Sequence, residues 1–447
     1  MVIHSPVSCA CAPDDDAHDV RARPFPFVHT AAVEVTSSCN LRCTYCMVSQ
    51  PDYVGLDLPG ELLDEVLTEL RKRKLDQICI NGHGETTMRP GWHRPFLPLV
   101  TEFRVSLFSN LARRFPADEI AFLASIDSLN LSLDTDDPEL TRLVRRSVSL
   151  DVIVANLEAI RAAAIVANTS GPRLILSTGV YDLNVLKLDG LARFAIANHV
   201  DHIVFWSVVK HPDVDGATNV RNLLALDHHE AMMAIDALDT TADTLRGSGV
   251  SFEFVGDFVE VFRRHHFDLR IGASNRASAV PTAADDDQAG SEAAMQPIPN
   301  RIFSTAQLGI TRDCADPWNY SQIKADGTVY PCCAHSPIGR IDSDHRYAEV
   351  LDGSALHNLR TGLLNGHLDD ECRNCHMRAE ISVEDFQARH NGLLVRGPAN
   401  GPADPPLRPP WHGQPAPTTV EKTEPARTRL RTYVQALRAA VARLSRD

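Results

Sequence analysis

The sequence has no apolar run approaching the roughly eighteen residues that a membrane-spanning helix needs. Its N-terminus carries Asp14, Asp15 and Asp16 where a secretory signal would be basic and then apolar. These absences exclude membrane spanning and export as expectations, and a cytoplasmic location follows. The chain is also short of positive charge, with 44 Lys and Arg against 58 Asp and Glu and a formal net charge of -14. Phosphate recognition concentrates the opposite sign, so neither nucleic acid nor a membrane is an expected partner. No tandem repeat is visible.

What is present is a globular chain of 447 residues, with 44% hydrophobic and 23% charged residues. That length suits two or three domains. Eleven cysteines without an export signal fit metal ligation better than a disulfide framework. Residues 1–30 mix Pro, Ala and Asp and read as a loose arm. Its Cys9 and Cys11 are two thiols that do not complete a metal site.

From residue 31 to about 272, β-branched runs alternate with amphipathic segments. The strands predicted are Ala32–Thr36, Gln77–Asn81, Val105–Ser109, Ser128–Leu133, Leu174–Thr178, His202–Val208 and Val250–Phe254. Helices are predicted over Gly60–Lys74, Ala117–Ala124, Val152–Val166, Leu186–Asn198 and Asp227–Leu245. This alternation calls for an α/β fold, a parallel sheet with right-handed crossovers, either open or curled into a barrel. Reactive groups gather at the C-terminal strand ends of such folds, so the motifs are expected to share one mouth. Residues 273–300 read as a linker or lid and 301–395 as a second, smaller unit. Residues 396–425 are a Pro-rich tether and 426–447 an amphipathic helix suited to self-association.

Cys39, Cys43 and Cys46 stand in a C-x3-C-x2-C loop directly after the first strand. Three soft thiolates so spaced can wrap three corners of a [4Fe–4S] cube and leave the fourth iron open. A structural zinc loop would want a fourth Cys or His nearby, and the loop supplies none. With Tyr45 just before the third cysteine, this segment resembles the signature of the radical SAM superfamily. The resemblance implies a partial (β/α)6 TIM-like barrel in which S-adenosylmethionine chelates the open iron. One electron then breaks its sulfonium C–S bond to give a 5′-deoxyadenosyl radical. Asn81-Gly82-His83-Gly84-Glu85 is similar to the family's glycine-glycine-glutamate motif, which makes Gly84 and Glu85 holders of the methionine amino group. His83 replaces the first glycine of the usual pair, and the expectation is that the position merely tolerates a side chain. Thr86 replaces the usual proline. Ser109, Asn110, Ser132, Asp134 and Asn184 resemble the family's polar strand ends near the nucleoside. Read alone, each is ordinary turn chemistry.

A second group comprises Cys314, Cys332, Cys372 and Cys375. Ile323 to Cys332 reads as a β-hairpin with an Asp-Gly turn that brings a cysteine beside Cys314. Four thiolates can close a second [4Fe–4S] site. Zinc accepts the same ligands, and Cys372-x2-Cys375 can also be read as a redox pair, although it comes late for one. The hairpin, with glycine five residues before cysteine, and the terminal C-x2-C resemble the small α+β twitch domain, the short form of the SPASM domain. One auxiliary cluster is implied. Cys333 is surplus to it, either a buried thiol or a candidate hydrogen-atom donor. Cys79 reads as core, as do Met232 and Met233.

The twitch resemblance implies dehydrogenation or epimerisation of a carbohydrate or cyclitol type of small molecule in natural-product biosynthesis, with a flavodoxin or ferredoxin as electron donor. The alternatives are a peptide-modifying maturase and a non-enzymatic iron–sulfur sensor or scaffold.

Overall fold

The computed structural model describes residues 20–22, 29–73, 75–146, 148–208, 220–255, 258–268, 309–375, 378–391 and 394–396. Cys9 and Cys11, the 273–300 segment, the tether beyond its first residue and the C-terminal helix lie outside them.

Seven parallel strands stand side by side in chain order: β2 Thr30–Val33, β3 Gln77–Ile80, β4 Arg104–Ser109, β5 Ser128–Ser132, β6 Arg173–Val180, β7 His202–Ser207 and β8 Ser251–Phe254. All seven runs predicted from the sequence are strands. The first ends earlier than expected, because from Val35 the chain turns to the 56–58 segment: Ser37 N–H donates to the Leu56 carbonyl and Leu58 N–H to that of Val35. Strands added in sequence through right-handed crossovers place every helix on one face, so this is an incomplete β/α barrel. The helix Gly60–Lys72 buries Leu63, Val66, Leu67 and Leu70, about 1.5–3 kcal/mol apiece. Pro138–Arg145, a short helix not predicted from the sequence, is capped by Asp137, whose Oδ1 accepts Glu139 N–H at 2.8 Å and Leu140 N–H at 3.1 Å.

The two faces of the sheet differ in chemistry. Ile78, Ile80, Val105, Leu107, Leu129, Leu131, Leu176, Ile203 and Phe205 are fully buried in the main core. The alternate positions carry Ala32, Cys79, Ser106 and Ser128 in one cross-strand row, and Ser132 beside Ser177 in another. The inner face is thus mixed: these small and polar residues lie beside Phe108, Asn130, Ile175, Val204 and Trp206 in the neighbouring positions. Cys79, which the sequence reads as core, lies on this inner face in register with Ala32 and Ser106. Burial pushes its thiol up to about 11, partly offset by a hydrogen bond with Ser106.

The smaller unit is not a separate body beside the barrel. Its hairpin, β10 Tyr320–Ile323 and β11 Thr328–Tyr330, joins the barrel sheet through a parallel β10–β2 pairing, and β12 Gly339–Arg340 extends it to ten strands. The hairpin turn needs Gly327, whose φ is +86° and whose missing Cβ leaves room for the Ile341 carbonyl. A second core of Ala315, Trp318, Leu363, Leu364, Leu368 and Phe386 sits beside β9 Ile310–Arg312 paired with β13 Glu380–Ser382. Near the end of the N-terminal arm, β1 Val20–Ala22 pairs antiparallel with β14 Leu394–Arg396. No helix among the described residues is long and apolar enough to cross a membrane.

Candidate active site

The first cysteine loop leaves the C-terminal end of β2 and is tied down by its own backbone. Cys46 N–H donates to the Cys43 carbonyl at 3.1 Å, Thr44 N–H to the Val144 carbonyl at 2.9 Å, and Ser49 Oγ to the Cys43 carbonyl at 2.7 Å. Leu41 N–H points at Cys39 Sγ from 3.4 Å, a contact that favours the thiolate. Burial works the other way, pushing Cys39 up to about 11 and Cys43 up to about 12, with Arg145 pulling Cys43 down. Cys46 is raised by the same cause. Ligation of a metal there must release these protons.

Gly84 lies against the segment that leads into this loop: a Cβ there would run into the backbone of Thr36, Ser37 and Ser38. Glu85 N–H then donates to the Ser38 carbonyl at 2.8 Å, which seats the Glu85 carboxylate in a buried cradle. Oε1 accepts the Ser109 hydroxyl at 2.8 Å and the Thr87 hydroxyl at 2.7 Å, and Oε2 accepts Asn110 N–H at 2.7 Å. Asn110 Nδ2 reaches Asn40 Oδ1, inside the cysteine loop, at 2.9 Å. Glu85, Ser109 and Asn110, read separately from the sequence, are thus one constellation. His83 does more than occupy a tolerant position. Its N–H donates to the buried Glu34 carboxylate, and its Nε2 lies 3.2 Å from Lys324 Nζ on the hairpin. Glu34 Oε2 accepts Ala325 N–H at 3.1 Å, so one carboxylate joins the barrel to the smaller unit.

Asp134 is 1% exposed and its oxygens are fully engaged within the protein. They accept Tyr45 O–H at 2.6 Å, Arg145 Nε at 3.0 Å and Nη2 at 2.9 Å, Gly179 N–H at 3.1 Å and Tyr181 O–H at 3.4 Å. The carboxylate positions Tyr45, and with it the cysteine loop, by way of a buried ion pair. Asn184 staples the β6 end, donating to the Asp134 carbonyl at 2.9 Å and the Gly179 carbonyl at 2.7 Å. Ser132 ends β5, half-buried on the inner face.

The second cysteine group does not share this mouth. β10 runs parallel to β2, so the hairpin turn is at the mouth and β11 descends to Cys332 near the opposite end, roughly 13 Å away for four strand residues. Cys314 and Cys372 are close enough to Cys332 to raise one another's thiols beyond the effect of burial, which alone is larger. Burial pushes Cys332 up to about 11. Cys375 follows in the turn after the helix Asp370–Arg373, its N–H on the Cys372 carbonyl at 3.3 Å. Cys333 is exposed and lies within electrostatic reach of Asp316, Arg378 and Cys375. Tyr320, on the inner side of β10, lies within electrostatic reach of Cys79, Cys333 and Cys332.

A single tetrahedral zinc would bring its thiolate ligands to about 3.8 Å from one another. Among the described residues, three or more cysteine sulfurs from either group are not all within 4.8 Å. The soft donors suit iron–sulfur cubes. Sequence reading missed Arg145, Glu34, Lys324 and His335. Glu34 did leave a signal, an acid in an otherwise apolar strand run.

A model of the radical SAM superfamily matches residues 33–195. The iron–sulfur cluster-binding domain called SPASM matches residues 314–376. Similar curated proteins include a GTP 3′,8-cyclase of Heliobacterium modesticaldum, 32% identical over 152 residues, which are 30% of this chain and 43% of the relative. Another is mycofactocin maturase MftC of Mycobacterium tuberculosis, 28% identical over 169 residues, 36% of this chain and 40% of the relative. The chain thus spans less than half the length of these relatives. Among solved structures, Streptococcus suis SuiB is 14% identical with a TM-score of 0.49, over 74% of this chain and 67% of that one. A tagged anSMEcpe with bound AdoMet is 16% identical with a TM-score of 0.49, over 77% and 82%.

Proposed function

We propose, from the premise that this chain belongs to the radical SAM superfamily and carries a SPASM iron–sulfur cluster-binding domain, that it cleaves S-adenosylmethionine and abstracts a hydrogen atom from a substrate in the barrel. The cofactors of these two domains are [4Fe–4S] clusters and S-adenosylmethionine. In this reading Cys39, Cys43 and Cys46 hold the cluster that chelates the cofactor, and Cys314, Cys332, Cys372 and Cys375 hold the second one. The Glu85 cradle, with Gly84, Ser109 and Asn110, takes the methionine amino group. Tyr45, fixed by Asp134 and Arg145, and Ser132 shape the nucleoside end.

The supporting observation is that the β10–β11 hairpin, running alongside β2, carries the chain toward Cys332 away from the mouth where the first cysteine loop begins. The bound clusters supply reductive cleavage at the mouth and an electron acceptor at the far end, a pairing suited to dehydrogenation. A thiol returning a hydrogen atom, with Cys333 the candidate, gives epimerisation instead. The inner-face hydroxyls suit a polyhydroxylated small molecule of carbohydrate or cyclitol type. A second reading, a peptide-modifying maturase, is favoured by the likeness to a maturase. An external one-electron donor such as flavodoxin or ferredoxin completes either scheme.

Reconstituted protein with dithionite and S-adenosylmethionine is expected to release 5′-deoxyadenosine; none from fully loaded protein would favour the sensor. Deuterium transferred into 5′-deoxyadenosine from a labelled cyclitol or sugar supports the first substrate reading. Transfer only from a peptide encoded beside this gene supports the second.

A further inference from the structure

His335 follows Cys332 by three residues and Asp369 precedes Cys372 by three. Asp369 caps the helix Asp370–Arg373 by accepting the Cys372 N–H at 2.8 Å through Oδ1. Its Oδ2 lies 2.9 Å from His335 Nε2, and Glu371 Oε2 lies 3.3 Å from the same nitrogen. On the other side of the ring, Nδ1 is 2.7 Å from the Ser336 carbonyl oxygen. Ser336 in turn gives its hydroxyl to Glu371. Carbonyl and carboxylate oxygens only accept, so both ring nitrogens donate. The ring is therefore a cation between two carboxylates, with its side chain 12% exposed. A ring nitrogen, an Asp369 oxygen and Cys372 Sγ lie within 4.8 Å of one another.

Such a trio has the residue types of a mononuclear metal site, but a ring that donates from both nitrogens has no lone pair to give a metal. We propose instead that His335 and Asp369 are positioning residues, an ion pair that sets the reduction potential of the cluster ligated by Cys372. This rests on reading the second cysteine group as cluster ligands. Cluster potentials respond to nearby charge and to hydrogen bonds around the sulfurs, and fixed charges at this range, partly screened from water, interact strongly. The histidine cation favours the reduced, more negative cluster, and the Asp369 carboxylate opposes it. The pair thus tunes how readily this end of the barrel accepts an electron.

The test is an EPR-monitored redox titration, at one fixed pH, of the full chain with Cys39, Cys43 and Cys46 all replaced by Ala, so that only the second cluster contributes. In that background His335→Phe lowers the midpoint potential and His335→Gln lowers it less. Asp369→Asn, which keeps an acceptor for the Cys372 N–H, raises it, and Glu371→Gln raises it by a smaller amount. A purely structural role would not give shifts of opposite sign. Equal midpoints, or shifts all of one sign, overturn the inference while leaving the proposed function standing. If His335→Phe does not load, the two carboxylate variants decide. A background protein that binds zinc and no second cluster overturns both.

Discussion

Cys39, Cys43 and Cys46 lie on one loop whose shape is set by its own hydrogen bonds, whereas Cys314, Cys332, Cys372 and Cys375 come from three separate stretches. The first group leans on a deeply buried ion pair, Arg145–Asp134, with side chains 7% and 1% exposed. The second has its pairs closer to water: Arg378–Asp316 at 32% and 20%, and His335–Asp369 at 12% and 40%. A local site needs a rigid support to aim it. A site assembled from distant segments is held by the fold itself, and its neighbouring charges are left to adjust its chemistry.

The sharpest way to break this comparison is to remove the local group. Replacing Cys39, Cys43 and Cys46 together by Ala is expected to abolish 5′-deoxyadenosine formation and lower iron from about eight to about four per chain, with four irons in each cube. Equal iron in the two proteins would show that the loop holds no cluster. Cys314→Ala should take away the other four or so irons and the modified product, yet leave S-adenosylmethionine cleavage measurable. Loss of cleavage as well would mean that the two ends are not separable.

Next in size is the support of the first loop. Arg145→Ala leaves Asp134 buried without its counter-charge, an expected loss of about 3–5 kcal/mol in chemical denaturation. Arg378→Ala, at the more exposed pair, should cost about 1 kcal/mol or less. Comparable losses would remove the distinction drawn between the two regions. The cradle is tested by binding instead of stability: Glu85→Gln removes a charge-assisted contact to the cofactor's ammonium worth about 1.5–3 kcal/mol. Its S-adenosylmethionine affinity should fall roughly 10- to 150-fold, with iron content unchanged. Calorimetric titration of loaded protein reads this directly, and an unaltered affinity would remove Glu85 from the cofactor site.

The seven-strand rhythm was legible because apolar alternation and intervening helical stripes are local patterns. The Pro138–Arg145 helix was not, because it is short and carries charged residues, Glu139, Arg142 and Arg145, among few apolar ones. Arg145 belongs to no motif in the sequence, and Cys79 reads there as core. Their true surroundings depend on which sheet face and which loop they meet, and sequence separation conceals this. The shared mouth expected for all the motifs failed for a similar reason. The pairing of β10 with β2, from which the local hairpin then descends, joins residues nearly three hundred positions apart.

Sequence alone determined the donor chemistry: three thiols close enough to share one loop, a glycine–glutamate segment after the next strand, and a hairpin carrying a cysteine. Spacing along a chain fixes what neighbouring residues can reach, and these signatures are made of neighbours. The tertiary structure decided that Ser109 and Asn110 cradle Glu85, that Asp134 holds both Tyr45 and Arg145, and that the hairpin leading to Cys332 lies alongside β2. Those relations arise only when strand register and burial bring remote side chains together, and no local pattern encodes that register.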